Sequence, residues 1–550
     1  MTQLKISITT ITMQTNLDST TAVCVGMGIA IAFWANCVSA QIIPDSTLLN
    51  NSRVTPSGNT SIIEGGTQAG KNLFHSFQQF SVPNASTAFF NNALDIQNII
   101  SRVTGNSISN IDGLIRANGK ANLFLLNANG IIFGQNASLN IGGSFLATTA
   151  NSLKFADQTE FSAKVPQNTS LLTLSIPIGL QFGTKAGQIQ VNGPGGLNLD
   201  TEQSIDSTVG LQVLPGKSLA LVGGNVSLDG GILQASGGRV ELGGLAAEGT
   251  VGLNFGNNRE LSFPTGVTLA DILLTNASAI NVVAKNSGSI SLNARNIDIL
   301  GGSTLVAGIG TNLGEVGSQA GDITLNATRA VKFEQRSQII NSVNFNSIGN
   351  GGNITIQGES ILFNDSSTLW CFTNGRGNAG DVTLKAKDSI TFQDSSSALT
   401  FIGDDAVGNG ANITIRAGSF SLIDGSGFLS SSSGQGNSGN VSVDATNSVI
   451  FNGVDSNGFP SGVFTNTELG AVGKSGDIII RASSLSLRDG AQLVTSNLSG
   501  FEAKAGDVTI ETTGSVSLFG VDSVGVVNTI SSQVSGIGSG GNITIRANSL

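Results

Sequence analysis

Few residues in this chain could do covalent or metal chemistry, and most are isolated from the partners they would need. His75 is the only histidine among 550 residues. Any Ser-His-acid nucleophile would have to use it. It lies between Phe74 and Phe77, a setting that suits a packed, hydrogen-bonded histidine at a strand or coil end. Cys24 and Cys37 fall in an apolar N-terminal stretch, which leaves Cys371 as the one cysteine beyond it. One histidine and one cysteine make an ordinary zinc site implausible. Gly65-x-x-x-x-Gly70-Lys71 matches most of a phosphate-binding loop, but Asn72 stands where the Mg²⁺-contacting Ser/Thr belongs. Asp404-Asp405 is the one adjacent acidic pair that could serve acid/base hydrolysis, and solvated loop charge explains it as well. Trp370 could stack a sugar, although packing at a turn is the simpler expectation. No cofactor or metal is expected, and no enzymatic activity.

One periodic set remains. A Gly-Asp/Asn pair recurs at Gly321-Asp322, Gly352-Asn353, Gly380-Asp381, Gly439-Asn440, Gly476-Asp477, Gly506-Asp507 and Gly541-Asn542, with degenerate copies at Gly288-Ser289 and Ala411-Asn412. Aligned carboxylates could hold calcium. Asp and Asn interchange freely, however, and a calcium ladder would resist losing half its charge. A turn residue that bonds the local backbone and stacks on its equivalents works with either.

The elements that position these residues are short strands. The Gly-Asp/Asn units recur about every 32 residues, each followed by an apolar triplet such as Ile323-Thr324-Leu325 and by further apolar runs. Elastic spacing argues against propeller blades and for a coil whose loops absorb insertions. Between 158 and 285, strands such as Leu219–Val222 and Val240–Leu242 alternate with paired glycines and are expected to stack as successive coil sides. The fold class is all-β: an elongated, right-handed parallel β-helix, a solenoid like that of pectate lyases. The chain is 11% charged with a net charge of −10 and lacks Lys/Arg clusters, which excludes nucleic-acid binding. Thr21–Val38 followed by Val38-Ser39-Ala40 reads as a signal peptide over 1–40, with an uncleaved anchor as the alternative.

The stretch Asn122 to Gly134 organises the chain. Apolar runs Leu123–Leu126 and Ile131–Phe133 flank Asn127-Ala128-Asn129-Gly130, a strong turn signal in which Asn129 and Gly130 are expected at positive φ. Upstream lie Asn72-Leu73-Phe74-His75-Ser76-Phe77 and Ile99-Ile100-Ser101-Arg102-Val103-Thr104-Gly105; Gly142-Gly143-Ser144-Phe145 follows. This order of motifs resembles the filamentous haemagglutinin N-terminal domain of two-partner secretion exoproteins. Ala128 departs from the usual Asn-Pro-Asn-Gly, and Ile176–Gly183 replaces a second Asn-Pro-Asn-Leu motif, which resembles the cyanobacterial-type branch.

The resemblance implies a secretion domain at 41–290, densest over 41–157, followed by a repeat region at 291–550 that continues into a longer protein. It implies Asn127, Asn129, Gly130, Phe74, His75, Phe77 and Asn122 as the secretion motif. It also implies an outer-membrane β-barrel transporter as partner and a secreted or cell-surface destination through the periplasm. The external role is then adhesion or surface structure, with a glycan or protein as ligand. A carbohydrate-active β-helix enzyme, lyase or hydrolase, is the alternative.

Overall fold

The computed structural model describes residues 42–164, 173–195, 210–254, 260–522 and 525–550. The signal-peptide reading of 1–40 lies outside them. Everything below concerns the unit from Ala40 onward. Among the described residues every regular element is a strand.

The strands wind as a parallel β-helix with three faces. The first face runs from Asn72–Gln79 through Asn98–Val103, Asn122–Leu126 and Phe145–Thr148, on to Val508–Thr512 and Ile543–Arg546. Each strand pairs in parallel with its equivalent one coil away, so Leu123 sits between Ile99 and Phe145. The second face holds Ile131–Phe133, Ile189–Asn192, Val226–Asp229 and their successors. The third becomes an eleven-stranded sheet ending at Thr529–Ser539. Consecutive faces meet at tight corners, so each coil buries its inward residues only by stacking on the next.

Inward residues alternate with outward ones along each coil side, with the phase shifting where a strand turns a corner, as between Ile356 and Ile361. Leu123 and Leu125 join the continuous core that fills the helix from Ile42 to Val516. Aromatic rings stack along it in register: the centroids of Phe333, Phe363 and Phe392 lie 4.5 and 4.4 Å apart, with the rings nearly parallel. These repeats place identical rings one strand spacing apart, where offset stacking is favourable.

Two parts depart from plain coiling. An antiparallel sheet of Ser152–Phe155, Glu160–Ser162, Pro177–Phe182, Gly249–Asn254 and Glu260–Ser262 packs on the outer side of the first face. Of the segment 158–285, Leu219–Val222 and Val240–Leu242 stack as coil sides on the first face as expected, whereas Glu160–Ser162, Pro177–Phe182, Gly249–Asn254 and Glu260–Ser262 leave the helix to build this flap. The flap has its own core with Phe74, Ile100, Phe124 and Leu126. It explains why Leu123–Leu126 is apolar on both sides: Leu123 and Leu125 face the helix interior, Phe124 and Leu126 face the flap. The second departure is the hairpin of Ser52–Ser57 and Thr60–Gly65, which pairs onto Thr87–Phe90 and closes the N-terminal end.

The Gly-Asp/Asn repeat has a direct structural cause. The side-chain oxygen of each Asp or Asn accepts the backbone N–H of its equivalent one coil on, not a local one. Asn353 N–H donates to Asp322, Asp381 to Asn353, Asn412 to Asp381 and Asn440 to Asn412, at 2.7–3.0 Å. The chain continues through Asp477, Asp507 and Asn542. Only an acceptor oxygen is required, so Asp and Asn are equivalent there. Among the described residues no group of three or more His, Cys, Asp or Glu side chains could hold a metal. The preceding glycine is needed for stacking: a Cβ on Gly476 would stand 2.0 Å from the Gly439 carbonyl oxygen.

Candidate functional site

The turn after Asn122–Leu126 is a corner of the β-helix, and its geometry follows from residue type. Gly130 N–H donates to the Asn127 carbonyl at 3.2 Å, closing a four-residue turn. The central residues Ala128 and Asn129 both have negative φ, while Gly130 has φ +134°. This fits a type I turn, whose preferences are Asn at the first position, Pro at the second and Gly at the fourth. The expectation that Asn129 would adopt positive φ is therefore corrected: in a type I turn the third position stays right-handed, and Gly130 alone carries the unusual backbone.

Asn127 is fully buried. Its amide donates to the Ser107 carbonyl at 3.0 Å and the Ser109 hydroxyl at 2.9 Å, both one coil below. Its side-chain oxygen accepts the Asn129 N–H and Asn129 side-chain amide, each at 3.0 Å. Asn129 in turn donates to the Gly105 carbonyl at 2.7 Å and accepts Lys164 Nζ at 2.9 Å. On the other side, Gly187 N–H reaches the Ala128 carbonyl at 3.2 Å. The corner thus bolts three coils together. A Cβ on Gly130 would lie 3.2 Å from the Gln188 carbonyl oxygen.

At the opposite end of the same strand, Asn122 closes an amide ladder. Asn98 donates to Asn72, Asn122 donates to Asn98, and Ser144 N–H donates to Asn122, all at 2.9 Å. Asn122 and the Asn127 corner therefore frame one strand from its two ends. Two coils below, Phe74 faces the flap, edge-on to Phe161 at 5.1 Å, while His75 and Phe77 face the helix interior.

His75 is 1% exposed and shares a 3.0 Å hydrogen bond with the Ser52 hydroxyl, which accepts Ser76 N–H. Its ring stacks on Phe77 at 6.0 Å and tilts against Phe90 at 5.4 Å. Burial pushes its pKa down to about 4, so it is neutral near pH 7. The packed reading of His75 describes its surroundings, but it sits within the strand Asn72–Gln79 and not at a coil end. The nucleotide-loop match fails on geometry: Thr67–Ala69 forms an antiparallel pair with Asn72–Gln79, a strand where a helix would be needed.

Sequence reasoning missed the residue that connects these parts. Arg102 is 3% exposed and donates to the Ser76 hydroxyl at 2.9 Å, the Thr47 hydroxyl at 2.9 Å and the Ser162 carbonyl at 2.7 Å. Its guanidinium lies 4.2 Å from the centre of the Phe161 ring. Asp45 completes the cluster, accepting from Ser76, Thr47 and Thr104. Burial alone would raise the Asp45 carboxyl, but those hydroxyls hold it below its ordinary value. Burial lowers Arg102 to about 10, which leaves it charged at neutral pH. Arg102 and Thr104 stand inside the quoted Ile-Ile-Ser-Arg-Val-Thr-Gly motif. An arginine among the apolar residues Ile99, Ile100 and Val103, followed by Thr104, was the available signal.

Asp404 and Asp405 occupy an exposed turn. Trp370 lies within the strand Thr368–Thr373, so its expected place at a turn is corrected; its indole N–H donates to Thr368 at 2.7 Å. Cys371 is buried and its thiol is pushed up to about 12 by burial, which leaves it unreactive.

Residues 40–292 match the family model of the TPS secretion domain. A stretch of 123 residues, 21% of this chain, is 32% identical to the Heme/hemopexin-binding protein of Haemophilus influenzae and spans 12% of that protein's length. Among solved structures, the secretion domain of HMW1 from Haemophilus influenzae aligns with 80% of this chain and 100% of its own, at 15% identity and a TM-score of 0.43.

Proposed function

We propose that this chain, which carries a two-partner secretion domain at residues 40–292, is an exoprotein handed through the outer membrane by a cognate β-barrel transporter. The family match carries the reading. The motif residues contribute by building a rigid N-terminal module: the Asn127 corner, the Asn72–Asn98–Asn122 ladder and the Arg102 cluster each fasten neighbouring coils. Asn127 is buried in the folded chain, so it acts on export through the fold or before folding is complete. Once the first coils form, each later coil finds its partner edge already in place, and the helix extends by local contacts. Outside the cell the repeat region serves as adhesin or surface structure. The heme or hemopexin binding in the relative's name is not carried to this chain.

Export would be compared for the full chain and a chain lacking 41–290, in cells with and without a two-partner barrel transporter. Transporter-dependent release of the full chain alone is the expected outcome. Equal release of both chains would overturn the assignment.

A further inference from the structure

A second ladder runs beside the Gly-Asp/Asn repeat, three residues earlier in each coil. Asn378 N–H donates to the Asn350 side-chain oxygen at 3.0 Å, Asn409 to Asn378 at 2.8 Å, Asn437 to Asn409 at 3.2 Å and Lys474 to Asn437 at 2.9 Å. Lys504 bridges to Lys474 in the next coil and continues the column. Each of these asparagines spends its oxygen on the neighbouring coil and turns an exposed N–H₂ outward. The column therefore offers only donors, and ends in two exposed ammonium groups. In the first ladder the arrangement is complementary. Asp477 and Asp507 each commit one carboxylate oxygen to the next coil and keep the other as an acceptor.

The two columns wall a cleft of about 430 Å³ that crosses four coils, from Asn409 to Asp507. Its floor is made of the pairs Gly410-Ala411, Ser438-Gly439, Ser475-Gly476 and Ala505-Gly506, so no side chain longer than serine rises from it. Lys474 and Lys504 face Asp477 and Asp507 in the same coils, and their charges cancel. On the outer rim Val407 and Val472 are 40% and 65% exposed, and both bridge to Gln435 between them.

We propose that this cleft binds a linear, neutral polysaccharide laid along the helix axis across successive coils. The proposal rests on the reading of the repeat region as the part displayed outside the cell. A hydroxyl both donates and accepts, so a polyhydroxylated chain uses the two walls together: Asn409, Asn437 and Lys474 donate to it, while Asp477 and Asp507 accept from it. An acidic polymer would meet those carboxylates, and a basic one the two ammonium groups, each at the cost of like-charge repulsion. An extended peptide advances about 3.3 Å per residue and falls out of step with coils about 4.8 Å apart. One pyranose ring of an extended glycan spans close to one coil, so equivalent hydroxyls meet equivalent walls. The low floor lets each ring lie against backbone, and Val407 and Val472 cover its C–H edge. Single contacts of this kind are weak, and repetition along the cleft supplies the affinity.

Calorimetric titration of the purified, folded chain tests the proposal. The probes are linear hexasaccharides of glucose, mannose and xylose, with oligogalacturonate as an acidic chain and a chitosan oligomer as a basic one. At least one neutral hexasaccharide should bind with a Kd of about 1 mM or tighter, and both charged chains at least tenfold more weakly. Asp477→Asn with Asp507→Asn preserves the ladder oxygens and replaces only the outward acceptors. It should weaken the neutral ligand at least tenfold without moving the melting temperature, as should Lys474→Met with Lys504→Met. Asp444→Asn, on the first face, should bind as the wild type does. Failure of all three neutral chains to bind, equal binding of oligogalacturonate, or wild-type affinity in both wall variants would overturn the proposal. None of these outcomes depends on transporter-dependent release, so a failed cleft and a failed export assignment are told apart.

Discussion

Asn127 and Gly130 were legible as a turn because few residue types satisfy its corner, but sequence could not choose the turn type. A type I turn puts Ala128 at the position where proline is preferred, and its N–H makes no backbone hydrogen bond in the corner. Ala128→Pro should therefore stabilise the domain by about 0.4–1 kcal/mol, read by chemical denaturation, through a stiffer unfolded chain. Asn127→Ala should cost roughly 1–3 kcal/mol, because buried donors and acceptors lose their partner. His75 gives a pH signature. Its folded pKa, about 4, lies below its unfolded value near 6.5. The unfolded chain therefore binds the proton first, and stability present above pH 6.5 falls as pH drops toward 4. Between pH 7 and 5 the loss should be roughly 2 kcal/mol, and His75→Gln should show no such loss in that window. Equal pH dependence in both proteins would contradict the buried neutral histidine.

At the scale of elements, the repeat was readable because each coil must solve the same corner. The Gly-Asp/Asn pair is that solution: glycine for close carbonyl approach, an acceptor oxygen for the next coil's N–H. Asp381→Asn should leave stability nearly unchanged, whereas Asp381→Ala should lower it by about 1 kcal/mol, the worth of one such bond. Excess chelator should not shift the melting temperature of the wild type, and a large drop would reinstate a calcium ladder. The flap was not legible, since short apolar strands separated by glycine look alike whether they continue a coil or leave it. The Arg102 cluster was hidden for a related reason. Asp45, Ser76 and Arg102 come from three separate segments, and only coil stacking brings them within hydrogen-bond reach.

At the scale of the molecule, stability accumulates coil by coil. Each coil gains its core by stacking on its neighbours, and the N-terminal module supplies the edge for the coils that follow it. Its motif residues lie in three consecutive coils, tied by the Asn72–Asn98–Asn122 ladder at one end and the Asn127 corner at the other. Damage there should stop export, while damage in a distant exposed loop should not. The direct measurement is the amount of chain released into the medium by cells that carry the partner transporter. Asn127→Ala with Gly130→Val should cut release at least tenfold and leave protein to be degraded in the periplasm. Asp404→Asn with Asp405→Asn should release as much as the wild type. Undiminished release from the turn variant, with loss from the acidic-pair variant, would contradict the secretion-domain account.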